Sequence, residues 1–256
     1  MRAFVAFFKK ELFESIRNGK LLILFILFFA FGIMNPAIAK LTPWILDMLG
    51  EELAESGMTV TGVTVDAITS WVQFFKNIPM ALIAFVLLYG GTFTKEYESG
   101  TLILVLTKGL ARYKVVLAKA LMMVALWSAG YWLCFGVTYG YNAYFWDNSI
   151  ATGLMPAVLN WWLFGLFAVV LPIFFSVIAE NYGVVMLLTG GCVFTSYLLS
   201  LVPKLTEYLP TSLMNSSELL VGAEEAEVYL PAVIITAAIS LALVAVSVPI
   251  FNKKQL

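Results

Sequence analysis

Residues 21–39 read LLILFILFFAFGIMNPAIA, nineteen consecutive positions with no charge and one amide, Asn35. A bilayer core about 30 Å thick needs roughly 20 apolar residues of helix to cross it, and this run has that length. Five more runs of the same kind follow at about 78–93, 120–141, 154–179, 183–202 and 229–251. The run at 78–93 is short unless it starts near Trp71, with Lys76 snorkelling to the interface. Pro172, inside the fourth run, predicts a kink, because its ring lacks the N–H that continues the helical ladder. None of the runs alternates in polarity over ten residues as a transmembrane β-barrel strand does. The fold class expected is an all-α polytopic membrane protein, one transmembrane domain over residues 1–256 with six transmembrane helices.

Composition agrees with that reading. The chain is 61% hydrophobic and 12% charged, with a mean hydropathy of +0.93 and no histidine, whereas soluble domains carry about 25% charged residues. A net charge of −1 gives no reason to expect nucleic acid. Cys134 and Cys192 both fall inside apolar runs and read as small buried apolar residues rather than as a disulfide or a metal pair.

Basic residues orient the spans. Five (Arg2, Lys9, Lys10, Arg17, Lys20) precede the first run, five (Lys95, Lys108, Arg112, Lys114, Lys119) lie between the second and third, and Lys253 and Lys254 follow the last. Only Lys40, Lys76 and Lys204 fall on the other side. The positive-inside rule then puts both termini in the cytoplasm. A basic flank, an apolar core and Ala37-Ile38-Ala39 together imitate a cleaved signal peptide. The flank is too long and too patterned for that, so the segment reads as a retained first span.

Residues 1–20 place Phe4, Phe8, Leu12 and Ile16 four apart, with Phe7 and Phe13 widening the stripe. This spacing predicts an amphipathic helix in the cytoplasmic interface. The extracytoplasmic segments expected at 40–75 and 203–228 are acidic, through Asp47, Glu51, Glu52, Glu55 and Asp66 in one and Glu207, Glu218, Glu224, Glu225 and Glu227 in the other. Those acids read as solvating groups, and no metal site is expected. The stretch 209–221 is apolar enough for a re-entrant or surface-lying helix, and Asn215-Ser216-Ser217 fits a glycosylation sequon only by chance.

What is missing narrows function further. The chain has no G-x-x-x-x-G-K-[ST] loop to cradle ATP phosphates. Its spans hold essentially no ionisable group, Lys119 and Glu180 sitting at ends, whereas ion-driven transporters need intramembrane carboxylates or histidines. No activated nucleophile or acid pair is visible, so no catalytic residue and no cofactor of its own are expected. A permeation path without its own energy source points to a partner.

The cytoplasmic segment 94–114 and its continuation to Lys119 supply the candidate contact. Residues 95–119 read KEYESGTLILVLTKGLARYKVVLAK. Glu96 and Glu98 precede the Ser99-Gly100-Thr101 turn, five aliphatics run from Leu102 through Leu104 to Leu106, Lys108-Gly109 breaks the run, and Arg112 follows. Five adjacent aliphatics, each worth about 1.5–3 kcal/mol on burial, need a groove. Glu96, Glu98, Gly100, Thr101 and Leu102, the leucines to Leu106, Arg112, Val116 and Ala118-Lys119 resemble the coupling-helix region of type-2 ATP-binding-cassette (ABC) permeases. Six spans, inside termini and an amphipathic first helix extend the resemblance over the chain. Lys108-Gly109-Leu110 stands where those permeases commonly have a proline turn, and Ala118 where Gly is usual.

The resemblance implies a multi-pass permease subunit of a bacterial cytoplasmic (plasma) membrane. It would pair with a second permease chain, identical or homologous, and with two cytosolic ABC ATPase subunits that hold ATP and Mg. By that resemblance Glu96, Glu98, Gly100 and Thr101 shape the coupling helix, Leu102, Leu104 and Leu106 dock it, and Arg112 flanks it. The Glu180-Asn181-Tyr182 turn would be a second contact, and Tyr89, Thr189, Thr195, Ser196 and Tyr197 on spans two and five would line the path. The cargo implied is an amphiphile, a peptide or a lipid-like molecule, moved outward. A non-transporting membrane scaffold and a mechanotransmitter acting on an extracytoplasmic partner are the alternatives.

Overall fold

Helix α2, Lys20–Glu55, carries the first apolar run well past residue 39, through Pro36 and Pro43. The computed structural model describes residues 2–55 and 65–254, with side chains at all of these except 47 and 49–55. The outer acids Asp47, Glu51, Glu52 and Glu55 therefore lie outside the described side chains. At 1.5 Å per residue a helix of 36 residues is about 54 Å long, so α2 outreaches any hydrocarbon core. Only Lys20–Leu46 is apolar enough to sit inside one.

The remaining spans follow the runs. They are Ala67–Glu98, Arg112–Phe145, Leu154–Ile178, Tyr182–Leu199 and Ala226–Lys253, so six candidate crossings lie among the described residues. Helix α1 is Arg2–Arg17, α3 is Ala67–Tyr89, α4 is Thr94–Glu98, α5 is Thr101–Thr107 and α6 is Arg112–Phe145. Helix α7 is Leu154–Ile178, α8 is Tyr182–Leu199, α9 is Pro203–Thr206 and α10 is Leu230–Lys253. The second span starts well before residue 78. Asp66 caps it, its Oδ1 accepting from the Thr69 N–H at 2.9 Å, which satisfies a donor the first turn leaves open. Trp71 is fully buried in the added turns and Lys76 is exposed.

Helix α2 packs mainly on α6 and α3, and α10 mainly on α7. Lipid tails are as apolar as leucine, so close fit holds such helices together better than hydrophobicity can. The core shows it in rings: Trp127 of α6 meets Phe28 of α2 and Phe85 of α3 edge-on, each at 5.8 Å. The far face of that indole lies on Gly165 of α7, where a Cβ would sit 2.0 Å from the ring. Between α9 and α10, Pro210–Val221 forms a long 3-10 segment against α7, burying Leu213, Leu219 and Leu220. The Trp161 indole of α7 donates to the Met214 carbonyl at 2.9 Å and ties that segment down. Ser216 of the sequon is fully buried and donates to the Leu213 carbonyl.

Candidate coupling site

Three elements that follow one another in sequence form one end of the bundle. Helix α3 ends at Gly90, α4 makes little more than one turn, and α5 is set off from its neighbours by Gly100 at φ +66° and Gly109 at φ +89°. Side chains with a Cβ rarely take such angles, so these two glycines let the chain double back on both sides of α5. The aliphatic run divides accordingly. Leu102 is buried, Val105 and Leu106 lean half-buried on the core, and Ile103 and Leu104 are 47% and 61% exposed. Leu102 is thus an anchor of α5, and the outward apolar pair is Ile103 and Leu104. Thr101 lies at the start of α5, its hydroxyl 2.8 Å from that of Ser99, and Glu98 is exposed.

Glu96 does not share that exposure. It points inward from α4 into a buried set of ion pairs. Its Oε1 lies 2.5 Å from Lys10 Nζ on α1, and its Oε2 3.0 Å from Lys119 Nζ on α6, the latter an ion contact rather than an aligned hydrogen bond. Lys119 is fully buried and also donates to Glu11 Oε2 at 2.8 Å, while Lys10 reaches Glu11 at 3.0 Å and Glu14 at 3.1 Å. The rings of Phe7 and Phe93 lie 5.7 Å and 5.2 Å from the Lys119 ammonium. Burial works against the charge on Lys10, but the Glu96 hydrogen bond and the Glu11 and Glu96 carboxylates outweigh it and raise its pKa above the usual lysine value. The carboxylates of Glu11, Glu14 and Glu96 come within 4.8 Å of one another. Lys10 and Lys119 already stand among them, pairing with the buried Glu11 and Glu96 while Glu14 faces solvent, which makes the group an ionic lock rather than a cation site.

The face that α1 turns to the bundle carries the lock. Its buried side chains are Phe7, Glu11 and Ser15, whereas Phe4, Phe8 and Leu12 are half-buried and Phe13 and Ile16 exposed. The inward stripe is polar at its centre because Lys119 and Glu96 wait beneath it. Tyr89, expected in the path, belongs here too, its hydroxyl 2.7 Å from that of Ser15.

Arg112 also turns inward. Its Nη1 donates to the carbonyls of Phe251 at 3.0 Å, Asn252 and Lys254, closing the C-terminal end of α10, where the helix dipole favours a cation. Lys254 in turn donates to the Val177 carbonyl at 3.1 Å, lies 3.5 Å from Glu180, and stands over the Tyr97 ring of α4. Asn181 caps α8 through Val184, and Tyr182 donates to the Leu87 carbonyl of α3 at 2.9 Å. The turn 180–182 therefore joins the same end as α1, α4 and α5.

Away from this end, α3, α7, α8 and the 3-10 segment enclose a cavity of about 440 Å³. Thr189 and Tyr197 line it with Phe164 and Trp161. The Thr189 hydroxyl is spent on the Val185 carbonyl, so the wall is almost wholly apolar. Ser196 is buried against Thr211 at 3.2 Å, and Thr195 is exposed outside the lining.

A family model described as ABC-2 family transporter protein matches residues 5–255. The chain belongs to that family. No curated protein matches it. This ABC-2 permease is a multi-pass membrane subunit of an ABC transporter, is not itself the ATPase, and works with an ATP-binding-cassette partner. Sequence reasoning passed over Glu11, took Ile103 only as one of five aliphatics, and left Lys10 and Lys119 as flanking charges. A lysine directly after a small residue at the head of a span was the one available signal, since Ala118 lets that turn pack without exposure.

Proposed function

We propose that this permease exports an amphiphilic, peptide or lipid-like cargo, driven by two cytosolic ATPase subunits that bind ATP and Mg, and that a second permease chain, identical or homologous, completes the path. Both termini, α1 and the α4–α5 loop face the cytoplasm of a bacterial cell. Helix α5 seats Ile103 and Leu104 in a groove of the ATPase, with Leu106 at its edge. Glu98, Gly100 and Thr101 shape the approach to that helix, and Glu180, Asn181 and Tyr182 make a smaller contact beside it. The cargo passes along α3 and α8, past Thr189 and Tyr197, where an uncharged wall suits an apolar chain.

One observation carries the reading. An outward apolar pair stands on a short helix, and the residues next to that helix are locked by ion pairs to α1 and α6. A push on α5 therefore reaches the start of a membrane span without a flexible joint other than Gly100 and Gly109. The test replaces Leu104, and separately Ile103, by Asp and co-purifies each with the ATP-binding-cassette subunit that assembles with the wild-type chain. Both side chains are exposed, so the permease melts as before, while assembly and transport-coupled ATP hydrolysis drop at least ten-fold, as loss of an interface anchor does. Assembly and hydrolysis at wild-type levels in both variants would remove α5 as the docking element.

A further inference from the structure

The other end of α6 holds a second, unrelated cavity. It measures about 640 Å³ and lies between the last turns of α6, the short 3-10 turn Asn148–Ile150 and the first turn of α7. Phe135, Tyr139 and Trp146 give it three aromatic walls, Met155 closes the α7 side, and Asp147 stands at the rim. No lysine or arginine is among its lining residues.

The walls are fixed. Asn148 accepts the Trp71 indole N–H at 3.0 Å and donates to the Tyr139 carbonyl at 3.2 Å, pinning the turn to α3 and α6 at once. Trp71 stacks on Phe135 at 5.4 Å, which backs that ring, and Tyr139 lies 5.8 Å from Phe135. The Asp147 carboxylate accepts the Ser149 amide at 2.9 Å and its hydroxyl at 2.7 Å. The backbone bond leads in holding the acid below the usual carboxylate range, and the side-chain bond adds to it. Each oxygen keeps a free lone pair toward solvent.

We propose that this cavity binds an organic ammonium group, with its cationic head between the Tyr139 and Trp146 rings and the Asp147 carboxylate. Ring faces are negative and attract a cation that sheds its water readily, as alkylated ammonium does. A lone carboxylate supplies the counter-charge, and the surplus volume takes apolar substituents. Tyr139, Tyr141, Tyr144 and Trp146 crowd the last two turns of α6 and the residue after it, as aromatic residues do where a span meets the headgroups. The site lies apart from α5 and from the cavity along α8, so it stands whether or not the export reading does.

The experiment uses the full chain in lipid nanodiscs made without choline or ethanolamine lipids. Dodecyltrimethylammonium, kept below its micelle concentration, is titrated by equilibrium dialysis, with choline and dodecanol as competitors. Saturable binding is expected, about three-fold weaker in Asp147→Asn and in Trp146→Leu, the loss expected for one exposed ion pair or one cation–ring contact at a rim. Glu227→Gln, an equal charge change on an exposed side chain elsewhere, leaves it unchanged. Competition by choline identifies a small soluble ammonium as ligand, and Asp147-dependent binding of the dodecyl compound alone identifies a membrane amphiphile. Equal competition by dodecanol, or unaltered affinity in Asp147→Asn, overturns the proposal. The Asp147 variant needs no refolded core, so a misfolded Trp146 variant does not blunt the test.

Discussion

The two ends of this bundle are held by opposite chemistry. At the end that carries α5, charges from three helices interlock: buried Glu11 and the more exposed Lys10 from α1, buried Glu96 from α4 and buried Lys119 from α6. At the far end there are rings and amides, with Trp71 stacked on Phe135 and bonded to Asn148, and a 3-10 segment strapped to α7 by Trp161. Ionic locks are costly to break but indifferent to sequence distance, whereas aromatic packing tolerates small losses one contact at a time. The difference teaches where a mechanical load can be carried. An end that must transmit force gains from pairs that fail all together, and an end that faces varied ligands gains from adaptable walls.

The largest expected effect breaks the lock. Lys119→Met removes the buried one of the two cations that Glu11 and Glu96 share and leaves both carboxylates to Lys10 alone. Stability should fall by about 3–5 kcal/mol, the usual consequence of deleting one member of a buried ion set, read by thermal unfolding in detergent. Combining it with Glu11→Gln and Glu96→Gln should recover most of that loss, since no unpaired charge remains. Next comes Gly165→Val at the centre. Its side chain meets the Trp127 indole, and overpacking of this kind costs about 1–3 kcal/mol, measured in the same melt. Trp127→Phe in the Gly165→Val background should return part of it.

At the aromatic end Trp71→Phe keeps a ring but drops the indole hydrogen bond to Asn148, so a smaller loss of about 1 kcal/mol is expected. The smallest effect is with pH. The raised pKa of Lys10 means its contribution is complete below the ordinary lysine value of about 10.4 and is lost only as pH rises beyond it. Asp147, shifted down, contributes above about 3.9 and loses its part only as pH falls through its lower folded value. Melting temperature should therefore stay level between pH 6 and 9. A slope in that window would point to a titrating group other than Lys10 and Asp147.

Much of the bundle was legible in the sequence because a span announces itself through length and lack of charge alone. All six runs became helices, but α3 starts at Ala67, ahead of the expected start, because Asp66, read as a solvating acid, caps it through Thr69. The inward face of α1 was not. Periodicity assigns apolar stripes to the interior, and it cannot know that Glu11 has a lysine 108 residues away to meet it. For the same reason Glu96 reads as a surface acid at a helix start until α1 is laid over it. Arg112 is visible as a charge, but the carbonyls it closes belong to the last helix, 139 to 142 residues on. The family resemblance drew attention to the segment that forms α5, whereas the turn of Leu102 inward and of Ile103 outward depends on where its two glycines aim the helix.

Gly165 has a consequence for motion. With the Trp127 indole seated where a side chain would be, α6 and α7 touch almost backbone to ring and have no room to slide along each other. They can tilt only as a pair. Any stroke delivered to the head of α6 would then appear at α7 with the same sign and size, and the hinge of the molecule must lie elsewhere. Helix α8, held chiefly by α7 with lighter contacts to the 3-10 segment and to α3, packs far more loosely than that stiff beam.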